Sequence, residues 1–228
     1  MTIDYDIIVQ GNNLGLREGF LGLANVTLIS APSGPILFDT GHYCNRLQLL
    51  AGLKRHGLTP ADIGTVFLSH LHFDHSNNID LFPDARVHVS RREWDYARKP
   101  HEQDILLPWL IHEQLEKHDV TFVEGEGELT RGVSYFPAPG HTPGSYAIEL
   151  DSDAKGRVVI AGDAIKYMKE VILRRSDLVF DTAENSARTI NRILDSADRI
   201  VPGHHPELIK CDGGFVSDDG AEFTLVVR

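Results

Sequence analysis

Three histidines and an aspartate fall within the run Ser69-His70-Leu71-His72-Phe73-Asp74-His75. Imidazole nitrogen and carboxylate oxygen are the donors that borderline divalent metals take, and neutral imidazole is the commonest of them. From an extended segment His70 and His72 point to the same side. Asp74 and His75 lie past the next bend, where they can face a second ion. A single surface histidine needs no explanation. Four such groups crowded at one strand end do, because this crowding of unpaired polar side chains accompanies function. The chemistry they suit is metal-assisted hydrolysis. Two cations about 3.5–4 Å apart can share a water, lower its pKa to about 7 so that it gives up a proton and becomes hydroxide, and polarise the scissile bond. Asp74 can then pass a proton to the leaving group, and no serine or cysteine nucleophile is required.

Three more candidates share a local setting, each directly after a strand-like run and a glycine. His141 stands in Pro137-Ala138-Pro139-Gly140-His141-Thr142-Pro143-Gly144, Asp163 in Val158-Val159-Ile160-Ala161-Gly162-Asp163, and His204 in Val201-Pro202-Gly203-His204. Glycine lets the backbone turn sharply and approach closely. Taken alone, His141 or His204 reads as a turn histidine and Asp163 equally as a helix cap. Beside the cluster, Asp163 becomes a carboxylate placed to bridge two cations.

The elements that must hold these residues are legible in outline. Residues 3–10 read as a strand, and residues 25–41 as two strands around a turn at Pro32–Pro35, the second ending at Asp39-Thr40-Gly41. Residues 45–56 show helical spacing through Leu47, Leu50 and Leu53, closed by Gly57. Thr59-Pro60 opens a short helix before the strand Thr65–Leu68, which delivers the cluster. A short helix is expected from Asn77 to Leu81 and a strand over Ala85–Val89. Residues 91–118 read as a mostly helical insertion, serving either as a lid or as an ordinary covering helix. Strands return over 120–123, 133–138, 145–150 and 157–163. A helix capped by Asp181 or Thr182 runs to about Ser196 with Ile190, Ile193 and Leu194 on its apolar side, and strands over 199–202 and 221–228 follow. Strands then helices occur twice, which implies two packed sheets with helices outside, in one domain spanning 1–228.

Composition limits the function. The chain has 228 residues, 42% hydrophobic, enough for one full core. A net charge of −11 repels polyanions at long range, so nucleic acid is not an expected partner. The longest apolar runs are strand-sized, short of the roughly 18–20 residues a membrane helix needs. The opening residues lack a basic stretch followed by an apolar one, so no secretory signal is read. Cys44 and Cys211 are expected as free thiols in a reducing, cytoplasmic setting.

The ordered pattern His70-x-His72-x-Asp74-His75, Gly140-His141-Thr142-Pro143-Gly144, Gly162-Asp163 and Gly203-His204 resembles the metallo-β-lactamase superfamily. The resemblance spans residues 39–204 and implies an αββα four-layer sandwich with metals at one end of the paired mixed sheets. It implies that His70, His72 and His141 hold one ion, that Asp74, His75 and His204 hold a second, and that Asp163 bridges them. Asp39 would orient a ligand imidazole. Zinc is the expected ion, with manganese or iron as alternatives. Family members are often dimers, and residues 91–118 are where contacts would be sought.

Within the family, His72-Phe73-Asp74-His75 is most similar to lactonase-type small hydrolases, implying attack by metal-bound hydroxide on a lactone or other small carboxylic ester. Such enzymes carry a tyrosine shortly after the bridging aspartate. Tyr167 follows Asp163 by four positions, one off the expected spacing, and reads either as an oxyanion-binding residue or as packing. Phe20, Leu21, Phe73, Trp109, Tyr167 and His205 are pocket candidates, and residues 11–25 form either a flap or a plain loop. Arg174 and Arg175 read as exposed, with anchoring of an anionic substrate as the alternative. The competing activities are a glyoxalase II-type thioesterase, a phosphodiesterase or nuclease, and an iron dioxygenase. The first lacks its basic helical extension here, and the second its inserted domain and basic surface. A non-enzymatic metal-binding protein is disfavoured by the complete ligand set.

Overall fold

The computed structural model describes residues 3–218, so the expected strand over 221–228 lies outside the described residues. The first half of the chain runs β1 (Asp4–Val9), β2 (Gly15–Leu16), β3 (Gly19–Phe20), β4 (Val26–Ala31), β5 (Gly34–Phe38), α1 (Arg46–Arg55), β6 (Thr65–Phe67), α2 (Phe73–Ser76), β7 (Arg86–Ser90), α3 (Arg91–Arg98), α4 (Ile111–Leu115) and β8 (Asp119–Val123). The second runs β9 (Gly127–Thr130), β10 (Val133–Pro137), β11 (Tyr146–Ser152), β12 (Gly156–Gly162), α5 (Met168–Leu173), α6 (Ala183–Ser196), β13 (Arg199–Pro202), β14 (Leu208–Cys211) and β15 (Gly214–Ser217). Six strands form one sheet in the order β1-β4-β5-β6-β7-β8, and seven form the other in the order β15-β14-β13-β12-β11-β10-β9. Strands β2 and β3 make a separate small hairpin.

Strand alternation sorts the side chains into layers. Ile36 and Phe38 of β5, with Phe67 of β6, face the second sheet, where Val158 and Ile160 of β12 meet them. Between them, Leu37 and Val66 turn outward onto α1, α3 and α4 through Leu49, Leu53, Trp94, Ile111 and Leu115. On the far side Val159 and Ala161 pack on Ile190, Ile193 and Leu194 of α6. Helices outside two packed sheets is the αββα arrangement, with one apolar layer between the sheets and one under each helical layer.

Of the three leucines read on the apolar side of α1, Leu53 is buried and Leu50 half-buried, but Leu47 is not. Leu47 is 80% exposed, while Leu49, Gly52 and Leu53 are buried. A contiguous leucine run fits more than one helical stripe, and the packing against β1 selects this one: a Cβ at Gly52 would meet the Ile8 carbonyl at 2.6 Å. Residues 91–118 contain α3 and α4 joined by turns, and they connect β7 to β8, which pair in parallel. Such a pair requires a crossover of this length. Strands β9, β14 and β15 and helix α5 were not foreseen. No helix among the described residues is long and apolar enough to cross a membrane, and both cysteines are free and exposed.

Two parallel pairs decide where the site lies. Strand β5 runs parallel to β6, and β12 to β13. Asp39 and the His70–His75 run follow the carboxyl ends of the first pair, Asp163 and His204 those of the second. In α/β sheets this is the end where ligands bind.

Candidate metal centre

Asp39 closes β5 with φ 61°, a left-handed conformation that an L residue rarely adopts and that aspartate tolerates better than most. The turn aims its buried carboxylate at the next strand end. Oδ1 accepts from the Ser69 amide at 2.7 Å, and Oδ2 from the Ser69 hydroxyl at 2.8 Å and His75 Nδ1 at 2.7 Å. Asp39 thus takes the orienting position expected of it. His70 and His72 lie on the extended run after β6, and Asp74 and His75 on the single turn of α2.

Every imidazole of the expected set is tethered through one nitrogen and leaves the other facing a common centre. His70 Nδ1 meets the Ser69 hydroxyl at 2.9 Å, His72 Nε2 the Asp104 carboxylate at 3.0 Å, and His75 Nδ1 the Asp39 carboxylate at 2.7 Å. His141 Nδ1 reaches the Leu178 carbonyl at 3.1 Å, and His204 Nδ1 the Asn12 carbonyl at 3.1 Å. An acceptor on one nitrogen keeps the proton there and leaves the other as a bare lone pair, the form in which imidazole binds metal.

The inward atoms form three sets, each within 4.8 Å: His70, His72 and His141; His70, His75 and Asp163; and Asp74, His75 and His204. Asp163 Oδ2 lies 3.2 Å from His141 Nε2, while Oδ1 lies 3.3 Å from both His75 Nε2 and His204 Nε2. Its two oxygens therefore face the two ends of the cluster. His70 Nε2, His75 Nε2 and Asp163 Oδ1 are buried with no hydrogen-bond partner. Native proteins rarely strand buried polar atoms, and His72 Nδ1 and His141 Nε2 confront each other at 3.0 Å. Divalent cations satisfy all of these atoms at once, so the residues present fit a metal pair.

The electrostatics split the histidines into two groups. Burial pushes His70 and His141 well below the ordinary imidazole range, toward the neutral ligand form. Burial also opposes charge on His75 and His204, but surrounding carboxylates outweigh it. Asp163, Asp74 and Asp39 hold His75 well above its ordinary value, and Asp163 and Asp74 raise His204. Asp163 is likewise desolvated, yet His204, His75 and His141 draw it well below the carboxylate range.

A cavity of about 260 Å³ opens onto this centre. Leu14, Phe20, Phe73, Leu106 and Leu178 give it an apolar wall, with Lys166 and Tyr167 among its polar residues. The Tyr167 hydroxyl donates to Asp177, and burial together with that carboxylate raises its pKa, so it stays protonated. Phe20 lines the cavity from the β2–β3 hairpin, but Leu21 and His205 do not. Trp109 is 98% exposed and lines a separate groove with Ile105 and Pro108, not the cavity. Arg174 donates to Asn191 and lies, with Arg175, outside the cavity.

Sequence reasoning missed the tethers other than Asp39. Asp104 also accepts from the Tyr96 hydroxyl at 2.6 Å. Asn25 binds the His204 loop by donating to the carbonyls of Pro202 and His205, at 2.6 and 2.8 Å. Neither lies near the residues it serves in sequence, and neither belongs to a recognisable spacing. Ser69 adjoins the cluster, and a hydroxyl beside His70 was the one signal available.

The model of the metallo-beta-lactamase superfamily matches residues 19–204. The chain belongs to the metallo-beta-lactamase superfamily. An N-acyl homoserine lactonase of a Bacillus species is 27% identical over 202 residues, covering 67% of this chain and 78% of that protein. The rat metallo-beta-lactamase domain-containing protein 1 is 31% identical over 190 residues, covering 80% of this chain and 66% of that protein. Among solved structures, a variant of Bacillus thuringiensis AiiA with N-decanoyl-L-homoserine at its active site superposes with TM-score 0.68 at 21% identity, covering 85% of this chain and 87% of its own. AidC, a dizinc quorum-quenching lactonase, gives TM-score 0.69 at 19% identity, covering 90% and 82%. At these identities the superpositions show the fold alone.

Proposed function

We propose that this superfamily member is a dinuclear metal-dependent hydrolase of lactones or other small carboxylic esters, with zinc as its ion. The observation that carries the reading is the divided ligand set. His70, His72 and His141 gather at one end, Asp74, His75 and His204 at the other, and the two oxygens of Asp163 face one each. When bound, two such cations supply Lewis acidity and a nucleophile at neutral pH.

The protein's own groups do the rest. Asp74 is 5% exposed, lines the cavity and has Oδ2 3.3 Å from His204 Nε2. It is the group placed to carry a proton to the leaving alkoxide. Tyr167 keeps its proton and can turn from Asp177 to donate to a developing oxyanion. The apolar wall of Leu14, Phe20, Phe73, Leu106 and Leu178 suits an acyl chain better than a phosphodiester and excludes water from the reacting end. The likeness to proteins named N-acyl homoserine lactonase supports the lactone over other esters.

Metal analysis of the purified protein, paired with a panel of lactones, thioesters and phosphodiesters, tests the proposal. The expected result is a zinc pair and lactone opening that stops on chelation and returns with zinc. A metal-replete protein that turns over thioesters or phosphodiesters but no lactone overturns the substrate class. A single iron with oxygen consumption overturns the reaction.

A further inference from the structure

The first turn of α3 carries a carboxylate that none of the foregoing chemistry uses. Glu93 is 0% exposed. Among the described residues its carboxylate is met by three hydrogen bonds and by no lysine or arginine. Oε1 accepts from the Leu71 amide at 3.1 Å, while Oε2 accepts from the Thr142 hydroxyl at 2.7 Å and the Gly144 amide at 3.1 Å. Leu71 sits between His70 and His72, and Thr142 and Gly144 follow His141. The three donors therefore come from the two loops that carry one complete ligand set. These loops leave different sheets, one after β6 and the other after β10. The contact is close at backbone level too. A Cβ on Gly144 would collide with the Glu93 amide nitrogen and Cα, so only glycine lets the turn of α3 lie flush on the His141 loop.

Desolvating a carboxylate is costly, and apolar packing would join two loops more cheaply. What a carboxylate adds is direction: it fixes three donors around one point. We propose that Glu93 is a positioning residue for the metal centre, tying the His70–His72 loop to the His141 loop so that the three imidazoles converge at metal-binding distance. This rests on the reading above that those imidazoles hold a metal. Glu93 touches no ligand side chain, and it acts through the backbone of one loop and the backbone and hydroxyl of the other. The isosteric Glu93→Gln keeps the volume but replaces an acceptor oxygen with a donor, which leaves at least one of the three donors facing an NH2 group.

Cobalt titration of the full chain tests the inference, because the visible bands of the ion report the geometry of the histidine set separately from the acid-containing one. Wild type is expected to take up two equivalents. In Glu93→Gln the affinity of the His70-His72-His141 set falls by about tenfold or more, its bands change, and the Asp74-His75-His204 set shifts by less than about threefold. Thr142→Val, which removes one donor and keeps the carboxylate, shifts the same set in the same direction by less. If Glu93→Gln keeps both affinities and the spectrum while its unfolding temperature drops, Glu93 is a staple of the fold only and the inference is overturned. Should that variant fail to fold, Thr142→Val decides, and an unchanged spectrum and affinity there overturns the inference. Wild type that binds no cobalt defeats the metal reading itself, before any variant is compared.

Discussion

A histidine ligand works only if its proton sits on the nitrogen turned away from the metal, and this chain supplies a separate acceptor for each one. Asp39 is the most loaded of these acceptors, serving His75 and both donors of Ser69. Asp39→Asn keeps the shape but loses an acceptor, and should weaken metal binding by about 10- to 100-fold in a chelator competition. An unchanged affinity would remove Asp39 from the centre. The titration of His75 and His204 gives a second expectation. The surrounding carboxylates raise both pKa values, so an incoming cation must expel protons from these imidazoles over a wider pH range than from ordinary ones. Affinity should therefore rise with pH through and above the ordinary imidazole range, with protons released on binding. Calorimetry in two buffers of different ionisation heat measures that release, and a binding heat that ignores the buffer contradicts it. Ligand candidates were legible in the sequence because they are chemically distinctive and stand beside glycines. Asp104, Asn12 and Asn25 were not, because a carboxylate, a backbone carbonyl or a side-chain amide becomes an orienting partner only when folding brings it from a distant loop.

At the scale of elements, two features hold the site. The first is the layer between the sheets, where Phe67 stacks on Phe38 with ring centroids 6.0 Å apart. Phe67→Ala should cost about 3–5 kcal/mol in denaturant unfolding, with the transfer loss and the cavity both contributing. The second is the approach of the His204 turn to Asp163. A Cβ on Gly203 would strike Asp163 Oδ1 and press on the Gly162 carbonyl. Gly203→Ala must therefore move the carboxylate that faces both ligand sets, and is expected to lower bound metal while leaving the circular dichroism of the sheets intact. Retention of full metal content would show that the turn can yield. Continuous apolar runs such as Val158–Gly162 and the Thr182 cap of α6 could be read directly, since each is a local pattern with a local cause. The exposure of Leu47 could not, because Leu47, Leu49, Leu50 and Leu53 fit more than one helical stripe until β1 chose one. Strands β14 and β15 were hidden because exposed Lys210, Cys211 and Gly214 break the alternation that marks a strand.

At the scale of the molecule, the centre takes His70 to His75 from the ends of the first sheet and His141, Asp163 and His204 from the second. Stripping the metals should leave a folded chain, since its three apolar layers contain none of these ligands, but one with a lower melting temperature, because an ion that binds only the folded form stabilises it by mass action. Scanning calorimetry with and without chelator checks this, and equal melting temperatures would contradict it. The hydrogen bonds that close the His204 loop, from the Gly203 amide to Ile165 O at 3.0 Å and from the His204 amide to Lys166 O at 2.9 Å, lie beside this junction. With cations in place, opening that loop means breaking coordination as well as two hydrogen bonds. Deuterium uptake at the Gly203 and His204 amides should then track free metal concentration, while uptake in the middle of β12 stays constant. The loop would act as a latch that the metal supply itself keeps shut.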